Sequence, residues 1–229
     1  MTDPIQTVTA TDALLRYREF LAEDRLIQGA FHREADGRQL ACGLGVIGDD
    51  VNTSKACPAE VMPRWLAQLV PFLFDGQDFP DAKAWGLRFY EQLARLDGKV
   101  PFSVVHDWRG NVSLPLRIEA LEKRERDTSA VVALQAMHRR ALAGETFSRD
   151  DWHAAIKAYA KGLYADAYAY AYAYAYAYAD ADAYAYADAD ADAYALNIRR
   201  SEAIKRLADG LIDCLARVEG SADVGPSGS

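Results

Sequence analysis

The chain is poor in the residues that most often do chemistry. It holds four histidines and three cysteines in 229 residues. His32, His106, His138 and His153 make no HxxxH or HExxH pair, and no cysteine–histidine cluster has zinc spacing. No metal or cofactor is therefore expected. Cys42, Cys57 and Cys214 are odd in number and far apart, which fits reduced thiols better than a disulfide framework. Basic residues are in the minority: the formal charge is −8 and the pI about 5.0. That argues against direct nucleic-acid binding, because phosphate contacts need lysine and arginine. The arginines are also scattered, as at Arg124, Arg126, Arg139 and Arg140. No apolar run approaches the roughly 20 residues of a membrane span. The start, MTDPIQTVTATDALL, lacks a basic n-region and an apolar h-region, so no signal peptide is expected. These readings together point to a cytoplasmic protein.

What the chain has instead is a strict alternation. From Ala165 to Ala195 every odd position is alanine and every even one is tyrosine or aspartate. Alternation alone suggests a strand. A single strand of that length would run near ~100 Å, far beyond the usual 3–10 residues. The tract has no Gly, Pro or Asn on which hairpins could turn. Alanine is the best helix former, and tyrosine and aspartate cost only about half a kcal/mol each. The reading is a long helix. Steps of four keep tyrosine above tyrosine, whereas steps of seven exchange tyrosine for alanine, so no heptad seam forms. Expansion of a short repeat into a spacer helix is the plain explanation. Two sharper ones stand beside it: a tyrosine-rich contact surface, and an acidic surface that mimics nucleic acid. The contact surface would be Tyr168, Tyr170, Tyr172, Tyr174, Tyr176, Tyr178, Tyr184 and Tyr186 with Asp188, Asp190 and Asp192. Its partner would be another protein or a second copy, and no membrane is implied.

The rest of the chain carries helical patterning. Thr11 can cap a helix running from Asp12 to about Asp24. Asp36-Gly37 marks a hairpin turn between short strands. Gly43, Gly45 and Gly48 suggest tight backbone contact or a loop. Pro58 and Pro63 each suit the first turn of a helix, and Pro80 opens another whose stripe is Trp85, Phe89, Leu93 and Leu96. Residues 99–114 are ambiguous: 102–105 reads as a short strand and Arg109-Gly110-Asn111 as a turn. Helices follow from Pro115 to about Arg124 and from Asp127 or Thr128 to Ala143, with Gly144 as a stop. Ser148 and Asp151 form a capping box, with Phe147 and Trp152 as a hydrophobic staple. Beyond the repeat, Ile204, Leu207, Leu211, Leu215 and Val218 have helical spacing.

Catalytic candidates are few. His106-Asp107 is a base next to a carboxylate, but adjacent residues seldom orient one another as a dyad requires. Cys42, in ACGLGVIG, reads as a buried structural thiol. His138 and His153 read as surface or packing residues. The four tryptophans read as core.

Gln28-Gly29, Asp36-Gly37, Cys42 and Leu44-Gly45 resemble the signature of a small bacterial and phage domain family without an assigned reaction. From about residue 115 the chain is similar to a group of phage and prophage hypothetical proteins. The shared features are an arginine-rich helix, the turn Ala143-Gly144-Glu145 with Ser148 and Trp152, an alanine-rich repeat helix, and a final segment with Ala208, Asp209, Leu211, Ile212 and Leu215. The resemblance implies a phage-associated accessory protein and no particular mechanism.

The expected architecture is mainly α. A flexible arm (1–10) leads into a helical globular domain (11–147) with one small β-hairpin. A long Ala/Tyr/Asp repeat helix (148–196) follows, then a C-terminal amphipathic helix (197–219) and a disordered tail (220–229). The expected function is a non-enzymatic interaction or scaffold role. The alternative is a phage-encoded inhibitor of a host factor, and the weakest reading is an enzyme using His106 and Asp107 or Cys42.

Overall fold

A computed structural model of the chain describes residues 8–164 and 199–219. They are mainly helical, with one two-stranded antiparallel hairpin. They form two compact units, 8–101 with 212–219 and 102–164 with 199–211. The repeat, with every tyrosine and aspartate of the expected contact surface, lies outside the described residues. Among the described residues no helix is long and apolar enough to cross a membrane.

The first unit opens with α1 (Ala10–Ala22). Its cap is Thr9, not Thr11. The Thr9 hydroxyl accepts from the Asp12 amide at 3.2 Å, and the Asp12 carboxylate accepts from the Thr9 amide at 2.9 Å. The reason is spacing: a reciprocal box needs an acceptor three residues on, which Thr9 has in Asp12 and Thr11 lacks, facing Leu14. The chain then makes β1 (His32–Ala35) and β2 (Arg38–Ala41), with Ala35 opposite Arg38. Asp36 and Gly37 have φ of 53° and 69°, so both turn residues are left-handed, as the twist of a two-residue hairpin demands.

Two longer helices follow in this unit, α2 (Arg64–Asp75) and α3 (Phe79–Arg95), and the end of the C-terminal helix, from Ile212, also belongs to it. Only Pro63 precedes a helix directly. Pro58 begins a separate turn, its carbonyl accepting from the Val61 amide at 3.1 Å. The expected stripe of α3 is buried: Trp85, Phe89, Leu93 and Leu96 are all at most 2% exposed. Tyr17 of α1 meets Tyr90 of α3 at 5.1 Å between ring centres. Trp65 is only half-buried, against the reading of all tryptophans as core.

The second unit opens with α4 (Ser103–Trp108), a wide π turn at Arg109–Ser113, and α5 (Leu114–Glu122). Neither the strand at 102–105 nor a chain-reversing turn at Arg109-Gly110-Asn111 exists. Val104, Val105 and Trp108 are buried at helical spacing, and Asn111 Nδ2 donates to Asp107 Oδ1 at 2.8 Å, one turn back. That bond supports helix through a stretch whose Gly and Asn otherwise signal a turn. The carbonyl of Gly110, in the widened turn, accepts from Gln135 Nε2 and Arg139 Nε, both at 3.0 Å.

Then come α6 (Ser129–Leu142), α7 (Arg149–Tyr164) and the first part of α8 (Arg200–Ala216). The core of this unit is Leu114, Val131, Leu134 and Tyr159, with Trp152, Ala155 and Ile156 packed against it. Helix α6 ends at Gly144, whose φ is 95°. There Gly144 and Glu145 donate back to the carbonyls of Ala141 and Arg140, both at 3.0 Å, which is a Schellman closure. Helix α7 begins with the expected box: the Ser148 amide donates to Asp151 Oδ2 at 2.9 Å, and the Asp151 amide to the Ser148 hydroxyl at 3.2 Å. Six residues, 143–148, thus stop one helix and start the next.

Candidate functional site

The densest grouping of titratable and aromatic side chains lies at that α6–α7 junction. His106 comes from the middle of α4, His138 from the last turns of α6 and Trp152 from the first turn of α7. The two histidine Nδ1 atoms are 3.1 Å apart. One ring must donate there and the other accept. His106 stacks on Trp152 with centres 5.4 Å apart and planes 12° from parallel. His138 meets the same indole at 4.9 Å. Phe102 touches His106 edge-on at 5.4 Å, and Phe147 touches Trp152 edge-on at 5.6 Å. Phe147 and Trp152 are the staple read from the sequence. Trp152 itself is half-buried rather than core.

Burial sets the electrostatics. His138 is 8% exposed, and desolvation, helped by the charges of Arg109 and His106, pulls its pKa down to about 3. Desolvation alone lowers that of His106. Both rings are therefore neutral near pH 7. Asp107 Oδ1 accepts from Asn111 Nδ2 at 2.8 Å. Spacing could have revealed that His138 is buried, though not its partner. His138 continues the stripe Val131, Leu134 and Gln135, so it belongs to the buried face of α6. Reading each histidine singly hid the pair.

The second candidate, Cys42, is 3% exposed. Its sulfur accepts from the Gly45 amide at 3.5 Å, and burial pushes its pKa up. A thiol in that state is a poor nucleophile. Its surroundings, Gly43-Leu44-Gly45-Val46-Ile47-Gly48, spell GxGxxG. A dinucleotide fingerprint needs a parallel βαβ unit and a helix N-terminus facing the phosphates. Here the glycines follow the second strand of an antiparallel hairpin and enter a three-residue 3-10 turn, Gly45–Ile47. They are glycine for packing. A Cβ on Gly45 would overlap the carbonyl of Phe31, and one on Gly43 would strike the Phe74 ring.

The other residues of that N-terminal signature are also structural. Gln28 Nε2 donates to the carbonyls of Phe74 at 2.7 Å and Gln77 at 3.1 Å, closing the end of α2. Tyr90 donates to the Gly43 carbonyl at 2.7 Å.

Two cavities lie elsewhere. One of about 230 Å³ is lined by Asn111, Val112, Pro115, Leu116, Glu119 and Arg206. A more open one of about 480 Å³ lies on the hairpin beside His32, Arg33 and Gln39. Neither is lined by the histidine pair or by Cys42. Among the described residues no group of three or more His, Cys, Asp or Glu could hold a metal ion. No known protein family matches this chain, and no curated protein or solved structure is significantly similar to it.

Proposed function

We propose that this protein is a non-enzymatic interaction or scaffold protein, and that its second unit serves as a mount for the Ala/Tyr/Asp tract. One observation supports the reading: the helices on either side of the tract are both rooted in that unit. Before it, Tyr159 of α7 is 1% exposed in the core. After it, Ala203, Ile204 and Leu207 of α8 are buried, and the Leu207 carbonyl accepts from Trp108 Nε1 at 2.9 Å. Arg206 of α8 also pairs with Glu119 of α5 at 2.8 Å. Both flanks of the tract are therefore anchored in that unit. Tyrosine, with an apolar ring and a polar tip, suits a contact surface, so Tyr168 to Tyr186 are the residues for a partner or a second copy.

The test is to replace residues 165–195 by a plain Ala/Glu/Lys helical sequence of equal length. Solution mass by light scattering is then compared with that of the natural chain. A self-association surface loses its oligomer, and equal masses at every concentration refute self-assembly. In the alternative reading, an inhibitor acting by acidic mimicry, binding to a host factor weakens with salt and with Asp188, Asp190 and Asp192 changed to asparagine.

A further inference from the structure

His106 and His138 respond differently to a first and to a second proton. In the neutral pair one Nδ1 donates and the other accepts across 3.1 Å. The first proton can go to the outer nitrogen of the donating ring, which leaves that contact intact. The second must go to the accepting Nδ1. Two N–H groups and two charges then face each other at hydrogen-bond distance, and the contact fails. The same rings hold Trp152, since His106 stacks on its indole and His138 meets it at 4.9 Å.

Burial, and Arg109 beside it, favour the neutral form of the pair. Arg109 in the π turn acts on His138 with like charge. Arg139 donates to the Gly110 carbonyl and to Asn111 Oδ1. Arg140 is paired with Glu145 and lies 4.9 Å from the Phe147 ring centre. The carboxylates of Asp107 and Asp151 accept from Asn111 and Ser148. His153, next along α7, is exposed.

We propose that the His106–His138 contact is an acid-released latch on α7: a second proton on the pair breaks the Nδ1···Nδ1 contact, unstacks Trp152 and frees the first turns of that helix. The latched form binds fewer protons than the released form below the ordinary histidine pKa of about 6.5. Release is therefore favoured by up to about tenfold per pH unit for each extra proton taken up. The rest of the unit need not unfold, because the burial of Tyr159 lies two turns further along α7. The device stands whether or not the tract binds a partner.

The test uses the full chain and amide hydrogen exchange read by mass spectrometry at pH 7.5, 6 and 5, corrected for intrinsic rates. Peptides covering 148–158 are compared with peptides from α3. The expected result is a loss of protection in α7 relative to α3, approaching tenfold or more between pH 6 and 5. The double variant His106→Phe with His138→Leu keeps the aromatic column and should abolish that step. Equal behaviour of α7 and α3 down to pH 5 overturns the proposal, as does a step that persists in the double variant. If that variant does not fold, histidine ring NMR of the natural chain decides. The latch requires one ring to titrate well below the ordinary value near 6.5, and two rings titrating near that value overturn it.

Discussion

Tyr17 stands over Gly86 so closely that a Cβ at residue 86 would overlap the phenol oxygen and strike the ring. Its hydroxyl donates to the Lys83 carbonyl at 3.0 Å, in the turn of α3 that precedes the glycine. A residue that costs a helix about 1 kcal/mol relative to alanine is thus the one that lets α1 and α3 meet. Gly86→Ala should destabilise the chain by about 1–3 kcal/mol through overpacking, despite the better helix propensity. Urea unfolding measures it. Combining it with Tyr17→Phe should recover part of the loss, and strict additivity of the two changes would rule out the contact as the cause.

Three helices close on left-handed acidic residues rather than glycine. Asp24, Asp97 and Glu125 have φ of 52°, 51° and 54°. Glu125 is the least suited, lacking the short side chain that eases aspartate into this region. Its amide donates to the Glu122 carbonyl, and Arg126 closes back to Leu121. Glu125→Gly should stabilise the chain by up to about 1 kcal/mol. The denaturant midpoint should rise with an unchanged slope. A lower midpoint contradicts the account.

The thiols of the first unit should be slow in the native state. Desolvation raises the pKa of Cys42 and pushes that of Cys57 up to about 12. At pH 8 both should react with a thiol reagent on the order of a hundredfold slower than in denaturant, because the thiolate is the attacking species. Mass mapping of the modified cysteines separates the two. Fast native labelling of Cys57 would mean a different environment for it.

The box that starts α7 carries its own pH dependence. The Ser148 hydroxyl and amide hold the pKa of Asp151 below its usual value. A carboxylate with a lowered folded pKa contributes stability above the unfolded value, near 3.9, and loses it as pH falls through the folded one. Ser148→Ala should cost about 1 kcal/mol at pH 7. The difference between variant and parent should shrink below about pH 4. A difference that stays constant from pH 7 to 2 would show that the cap acts through something other than this carboxylate.

Much of the architecture was legible because it rests on local chemistry. The hairpin needed only Asp36-Gly37, the α7 start only Ser148 and Asp151, and the α3 face only the spacing of four aromatic and aliphatic residues. The misreadings came where a distant partner decides. Gly110 and Asn111 look like a turn, yet Asp107 and α6 hold them in helix. Gly43 and Gly45 suggest tight contact, but not that Phe74 and Phe31 are the partners that make it. The break between the two units at Pro101 and Phe102 has no shift of composition to announce it. The histidine pair joins residues 32 apart along the chain, a relation that no local pattern contains.

The π turn at Arg109–Ser113 resets the phase of a helical rod. A regular helix turns about 100° per residue, so one surplus residue offsets everything beyond it by that angle. Before the offset, His106 points to Trp152 and Trp108 to the backbone of α8. After it, Leu114 turns into the core with Leu134 and Tyr159. Loss of a single residue within the turn would leave both halves helical but aim one of them away from its neighbours. The length of this short stretch, more than its composition, keeps the helices of the second unit in register.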